Sequence, residues 1–232
     1  AVLARLLMVN GLGELDQTNT DAIMQWLSAN GALYGTYTVM RMIGRVAFPI
    51  FCFLLVEGFL HTHDVKKYAM RLGLFALLSE IPFDLAFSSK ILEFNYQNVF
   101  FTLFIGLLTM IAYRAVEEKE EWGQAWKVIL YILIVAAGMA LAYFLKTDYA
   151  EKGVFCIMVL YIFRKKKMWQ LIAGCASFIW ETPALFGFIP IAFYNGTRGW
   201  KMKYFFYIFY PAHLLILYLL CYFMGISGYS AV

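Results

Sequence analysis

Apolar residues run along this chain in long blocks, and polar residues collect in the gaps between them. The blocks predict helices over residues 1–10, 35–62, 65–87, 98–115, 124–145, 153–164, 168–180, 182–194 and 203–225. A helix needs about 20 apolar residues to cross a bilayer, and several blocks reach that length. The pieces 153–164, 168–180 and 182–194 are short for full spans. Membranes accept short or broken helices where their backbone is buried in protein or lines a cavity. The pattern predicts an all-α protein: a polytopic transmembrane helical bundle of about 8–9 membrane helices, forming one integral-membrane domain over residues 1–232. The chain opens inside a block, "AVLARLLMVNGLG", which reads as the tail of a first helix whose start lies upstream. Gly13 to Tyr34 reads as a long loop.

Composition agrees with a lipid environment. The chain is 62% hydrophobic and 15% charged, where soluble domains have about 45–50% and 25%. Of the 19 Lys and Arg residues, 13 fall in alternate gaps: Lys66, Lys67 and Arg71; Arg114, Lys119 and Lys127; Arg164 to Lys167; Arg198, Lys201 and Lys203. The intervening gaps hold only Lys90, Lys146 and Lys152. By the positive-inside rule the basic gaps of this multi-pass protein face the cytoplasm. Trp and Tyr near span ends (Tyr34, Tyr37, Trp122, Trp126, Trp169, Trp200, Tyr204) fit interfacial belts. Cys52, Cys156, Cys175 and Cys221 are far apart, without C-x-x-C spacing, and read as buried unpaired thiols. Asn195-Gly196-Thr197 reads as a turn.

A few ionisable residues remain inside the apolar blocks. Each costs roughly 2.5–3.5 kcal/mol at bilayer depth, so each needs a partner or a polar cavity. In the second block Arg41 and Arg45 share a helix face, and so do Glu57 and His61. The third places Glu80 and Asp84 four apart around Pro82, which removes a backbone donor. Asn98 and Thr102 open the fourth, and His213 lies in the last. The orientation puts Arg41, Arg45, Glu80 and Asp84 in the outer half, two bases facing two acids, and Glu57 and His61 in the inner half. An ion-pair network that merely locks helices together would use the same residues. Histidine is the natural general base near neutral pH, and an arginine can hold an anion or a developing oxyanion. His61 and His63 flank one residue, but two ligands do not make a metal site. No G-x-S-x-G, P-loop or dinucleotide fingerprint is present. Spacing alone fits an enzyme, a proton-coupled small-molecule transporter or a non-catalytic binding module.

The stretches "GRVAFPIFCFLLVEGFLHT", "RLGLFALLSEIPFDLAF", "NVFFTLFIGLL", "TDYAEKGV", "NGTRG" and "KYFFYIFYPAHLLILYL" follow in the order seen in TraX proteins. The resemblance covers about Arg41 to Tyr222. It implies a multi-pass acyltransferase, related to enzymes that use cytoplasmic acyl-CoA to modify acceptors at the membrane. The family takes its name from an enzyme that N-acetylates F-type pilin. The resemblance implies catalytic roles for Arg45, Glu57, His61, Glu80, Asp84 and His213. It implies cofactor-binding roles for Arg71, Asn98 and Thr102, and places Asp148 in a family turn. An Asp-His pair usual in the family's first helix is not in this sequence; its histidine is the family's leading candidate for the base, and it would lie upstream of Ala1. The expected donor is acetyl-CoA, without a metal. The expected partners are a peptide, sugar or lipid acceptor and the bilayer, with no nucleic acid. Arg45 and His61 would then mark the acceptor and donor ends of one polar path.

Overall fold

A computed structural model describes residues 1–16, 18–197 and 203–229. Arg198, Trp200 and Lys201, and the side chains of Lys203 and Tyr204, lie outside this description. The described chain is all-helical: α1 (Val2–Val9), α2 (Thr20–His61), α3 (Val65–Ser88), α4 (Val99–Glu117), α5 (Gln124–Phe144), α6 (Ala150–Ile162), α7 (Lys167–Ser177), α8 (Phe188–Phe193) and α9 (Lys203–Phe223). A 3-10 segment, Thr182–Gly187, leads into α8. The α2, α4 and α5 helices are each long and apolar enough to cross a membrane. The α3 helix has the length but carries Lys66, Lys67, Arg71, Glu80 and Asp84.

The supposed loop from Gly13 to Tyr34 is the main correction. Helix α2 begins at Thr20 and runs unbroken for 42 residues. The Asn19 side chain accepts from the Ala22 N–H at 3.1 Å, and Asp21 sits in the first turn. Both features favour a helix start. The stretch is polar enough to look like a loop, yet it holds no proline to stop a helix. Helices α2, α3 and α9 also continue through Pro49, Pro82 and Pro211. The four cysteines are free, and all but Cys175 are buried.

Two compact units divide the chain: residues 1–44, 78–93 and 200–232, and residues 45–77 and 94–199. In the first unit α1 packs on α9, and Arg5 is fully buried. Its guanidinium donates to the carbonyls of Leu85 and Ala86, both at 2.9 Å, and to that of Ser227 at 3.3 Å. The last four carbonyls of a helix lack intrahelical partners and carry the negative end of its dipole. Arg5 therefore caps α3, which ends at Ser88 before Ser89 takes a left-handed conformation at φ 58°. The Ser89 hydroxyl donates to the same Ser227 carbonyl.

In the second unit α4, α5 and α6 pack against one another, and α7 packs on α6. Close approach depends on glycine at Gly138: an added Cβ would stand 2.2 Å from Thr109 Oγ1 and 3.0 Å from its methyl. Thr109 is β-branched, stiff and buried, so it yields little. Gly138→Ala is expected to destabilise the protein by about 1–3 kcal/mol, measured by unfolding in mixed micelles.

Asp64 starts α3. Its carboxylate accepts from the Lys67 N–H at 2.9 Å and pairs with the Lys67 ammonium at 3.1 Å. The Lys67 backbone N–H holds this carboxyl below its ordinary value. A depressed pKa contributes stability above the unfolded-state value, lost as pH falls through the folded one. Wild type is expected to melt above Asp64→Ala at neutral pH, and the two curves should converge in strong acid.

Candidate functional site

The alternating charge of the sequence becomes two distinct ends in the second unit. One end collects the α4–α5 and α6–α7 connections, the end of α2 and the start of α3. It carries Lys66, Lys67, Arg114, Lys119, Lys127 and Arg164 to Lys167. The opposite end collects the starts of α4 and α6 and the end of α7, with Lys146 and Lys152.

At the basic end, His61 closes α2. Its Nδ1 lies 2.9 Å from the Glu57 carbonyl oxygen and 3.8 Å from the Glu57 carboxylate. A carbonyl only accepts, so this bond puts the proton on Nδ1 and leaves Nε2 as a base. The His61 side chain is 69% exposed, while Glu57 is 19% exposed. The Tyr194 hydroxyl lies near the Glu57 carboxylate, and the Tyr194 ring packs edge-on to Phe53. Thus the imidazole is reachable and the carboxylate behind it is largely shielded. Two turns into α3, Arg71 has a buried Nε without a hydrogen-bond partner among the described residues.

The cations at this end are not equivalent. Arg164 grips both oxygens of Glu117 at 2.8 and 3.0 Å and covers the Tyr161 ring at 3.9 Å. Arg114 pairs with Glu118 at 3.0 Å, Lys67 with Asp64, and Lys167 donates to the Tyr194 carbonyl at 2.6 Å. Lys165 and Lys166 are exposed and have no ion pair among the described residues. Beside them, Asn195 Oδ1 accepts from the Thr197 N–H at 3.0 Å, so the Asn195-Gly196-Thr197 triplet is a side-chain-capped turn.

The other end is built around a tight turn, Lys146 to Ala150. Lys146, Tyr149 and Ala150 all adopt positive φ, at 51°, 65° and 40°, where residues with a Cβ are strained. The turn is held from several sides. Gln97 and Thr147 form an isolated parallel bridge. Thr102 Oγ1 bonds Thr147 Oγ1 at 3.0 Å and donates to the Asp148 carbonyl. The Tyr96 hydroxyl donates to the Asp148 carboxylate at 2.7 Å. Asn98 caps α4 by accepting from the Phe100 N–H, and donates to the Ala76 carbonyl, both at 2.9 Å. Asn98 and Thr102, which the resemblance linked to donor binding, are both buried here; Thr102 fixes the turn, and Asn98 ties the start of α4 to α3. The Tyr149 ring stacks flat on Phe48 with centroids 3.6 Å apart.

One helical turn before Phe48, Arg45 forms an ion pair with Glu181. Spacing suggests Glu80 or Asp84 as acids for Arg45; the ion pair it forms within its own unit is with Glu181. Glu181 was missed, although it is the lone acid in the apolar stretch 168–194. The pair is only partly exposed, at 29% and 14%. A double-mutant cycle with Arg45→Met and Glu181→Gln is expected to give a coupling of about 1–3 kcal/mol. Arg41, by contrast, is exposed and bonds Tyr37 of its own helix at 2.7 Å.

Glu80, Asp84 and His213 belong to the first unit. Asp84 is buried, and its Oδ2 accepts from the Glu93 N–H at 2.8 Å. Glu80 is buried one turn earlier. His213 Nδ1 bonds the Phe209 carbonyl at 2.9 Å, and the ring stacks on Phe209 at 5.0 Å. No carboxylate lies within ion-pair distance of His213 among the described residues, which sets it apart from His61.

The family model that matches describes the TraX protein, over residues 4–221. A similar protein is the probable fimbrial assembly protein FimC, serogroup H1, of Dichelobacter nodosus. It is 27% identical over 215 residues, which cover 78% of this chain and 82% of that protein. No solved structure matches.

Proposed function

Because the chain belongs to the TraX family, we propose that it is a membrane-bound acyltransferase moving acetyl from acetyl-CoA to an amine or hydroxyl. The observation that carries this reading is the Glu57–His61 pair, an oriented and reachable base among cations at one end of a helical membrane protein. The fimbrial-assembly name of the Dichelobacter relative favours a pilus subunit over a sugar or lipid as acceptor.

The basic end is the donor side, cytoplasmic in a bacterial inner membrane by the positive-inside rule. Lys165 and Lys166, without an ion pair among the described residues, meet donor phosphates, and Arg71 adds a third cation. In direct transfer a bond forms between the acceptor nitrogen or oxygen and the acetyl carbon, and the carbon–sulfur bond breaks. His61 Nε2 takes the acceptor's proton and returns it to the leaving thiolate. Glu57 steadies the imidazolium formed in between.

Helix length limits which residues act together. Arg45 and His61 are 16 residues apart on α2, roughly 24 Å at helical rise. They cannot touch one reacting atom. Arg45, with Glu181 and the Asp148 turn, serves the far end of the path, where an acceptor arrives. The test is purified protein with labelled acetyl-CoA and candidate acceptor peptides. Transfer of label with release of free CoA is expected; neither CoA binding nor CoA release under any condition would reject the reading.

One observation favours a second reading, a proton-coupled transporter. Asp84 is buried, and its Oδ1 has no hydrogen-bond partner among the described residues. A carboxyl so placed is suited to carrying a proton. Uptake into proteoliposomes under a pH gradient, abolished by Asp84→Asn, would support it against the acyltransferase.

A further inference from the structure

An open groove of about 310 Å³ lies among α5, α6 and the end of α7. Its walls are Met139, Phe155, Ala176 and Ile179, and its mouth is made by Lys152 and Trp180. The lining is almost entirely apolar, with one cation. Lys152 Nζ stands 4.9 Å over the Trp180 ring, a placement that fixes an ammonium without neutralising it. Among the described residues no carboxylate pairs with Lys152. Ser177 Oγ is already committed to the Gly174 carbonyl at 2.7 Å.

We propose that this groove binds an anionic phospholipid of the surrounding bilayer, its phosphate on Lys152 and one acyl chain along Phe155, Met139 and Ile179. Charge complementarity selects the occupant. A purely apolar ligand makes no contact with the ammonium at the mouth, and a small anion leaves the apolar walls uncovered. Lys152 and Phe155 are three apart on α6, so they share a helix face. Lys152 and Trp180 lie at the Asp148 end of the unit, where an interfacial indole marks headgroup level. The acyl chain then runs from that level toward the bilayer interior. Trp180 directly precedes Glu181, the partner of Arg45. A lipid seated on Trp180 braces the segment that holds this ion pair. The site owes nothing to the acyltransferase reading.

The test is native mass spectrometry of the full chain released from nanodiscs of equal phosphatidylglycerol and phosphatidylcholine. Wild type is expected to keep one phosphatidylglycerol in preference to phosphatidylcholine. Lys152→Gln should lose the preference, and Ala176→Phe, which fills the groove, should lose the bound lipid altogether. Melting temperatures measured alongside identify any variant that fails to fold, and Lys152→Arg should restore the preference. Retention of the preference by Lys152→Gln, or of the lipid by folded Ala176→Phe, overturns the proposal.

Discussion

Replacing His61 with glutamine is expected to lower acyl transfer by about 10²–10⁴-fold, the range for loss of a positioned general base. Stability should barely change, because the side chain is 69% exposed and its polar contacts stay within its own helical turn. Three readouts separate chemistry from structure. Binding of the donor should persist, since the cations at Arg71, Lys165 and Lys166 are untouched. Added imidazole should restore part of the rate. Glu57→Gln should cost less than His61→Gln, because the backbone carbonyl still orients Nδ1 while the charge that steadies the imidazolium is gone. His213→Gln provides the comparison: with no carboxylate beside it among the described residues, its loss should leave the base intact. Full activity in His61→Gln would move the base to another residue.

Arg5→Met is expected to destabilise the protein by roughly 3 kcal/mol or more. Hydrogen bonds to a charged donor contribute about 1.5–3 kcal/mol, and each buried acceptor left bare costs a similar amount. Arg5 serves three carbonyls at once: Leu85, Ala86 and Ser227. Methionine fills much of the volume, so the loss isolates the polar contribution. Arg5→Lys should fall between the two, since it keeps a positive charge at the helix terminus but loses the planar fork that reaches three oxygens. Unfolding in mixed micelles measures both. Equal stability of Arg5→Met and wild type would show that the α3 terminus is satisfied by other means.

Much of the fold was legible because membrane helices declare themselves by length and apolarity. Helices α3 to α7 and α9 fall within a few residues of the sequence pattern, while the predicted helix 182–194 divides into a 3-10 segment and the short α8. The exception, residues 20–34 of α2, shows the limit of the rule. Their composition is mixed, and what makes them helical is a capped start and the absence of any stop rather than an apolar block. The Glu57–His61 pair was equally legible, because four-residue spacing on a helix fixes a contact locally.

Sequence by itself determined the apolar helical segments, which gaps are basic and which ionisable residues sit in apolar surroundings, since each of these follows from local spacing and solvation. Only the tertiary structure decided partners across the fold. Opposite charges in the second and third blocks invited a pairing of Arg45 with Glu80 or Asp84, but Arg45 meets Glu181, 136 residues away. Among the described residues Arg5 meets no acid and is compensated by backbone carbonyls, whose availability depends on where a distant helix ends. The basic loops likewise read as one class, until packing committed Arg164 to Glu117 and left Lys165 and Lys166 without an ion pair among the described residues. Charge and spacing limit the choices; the packing of helices in three dimensions selects among them.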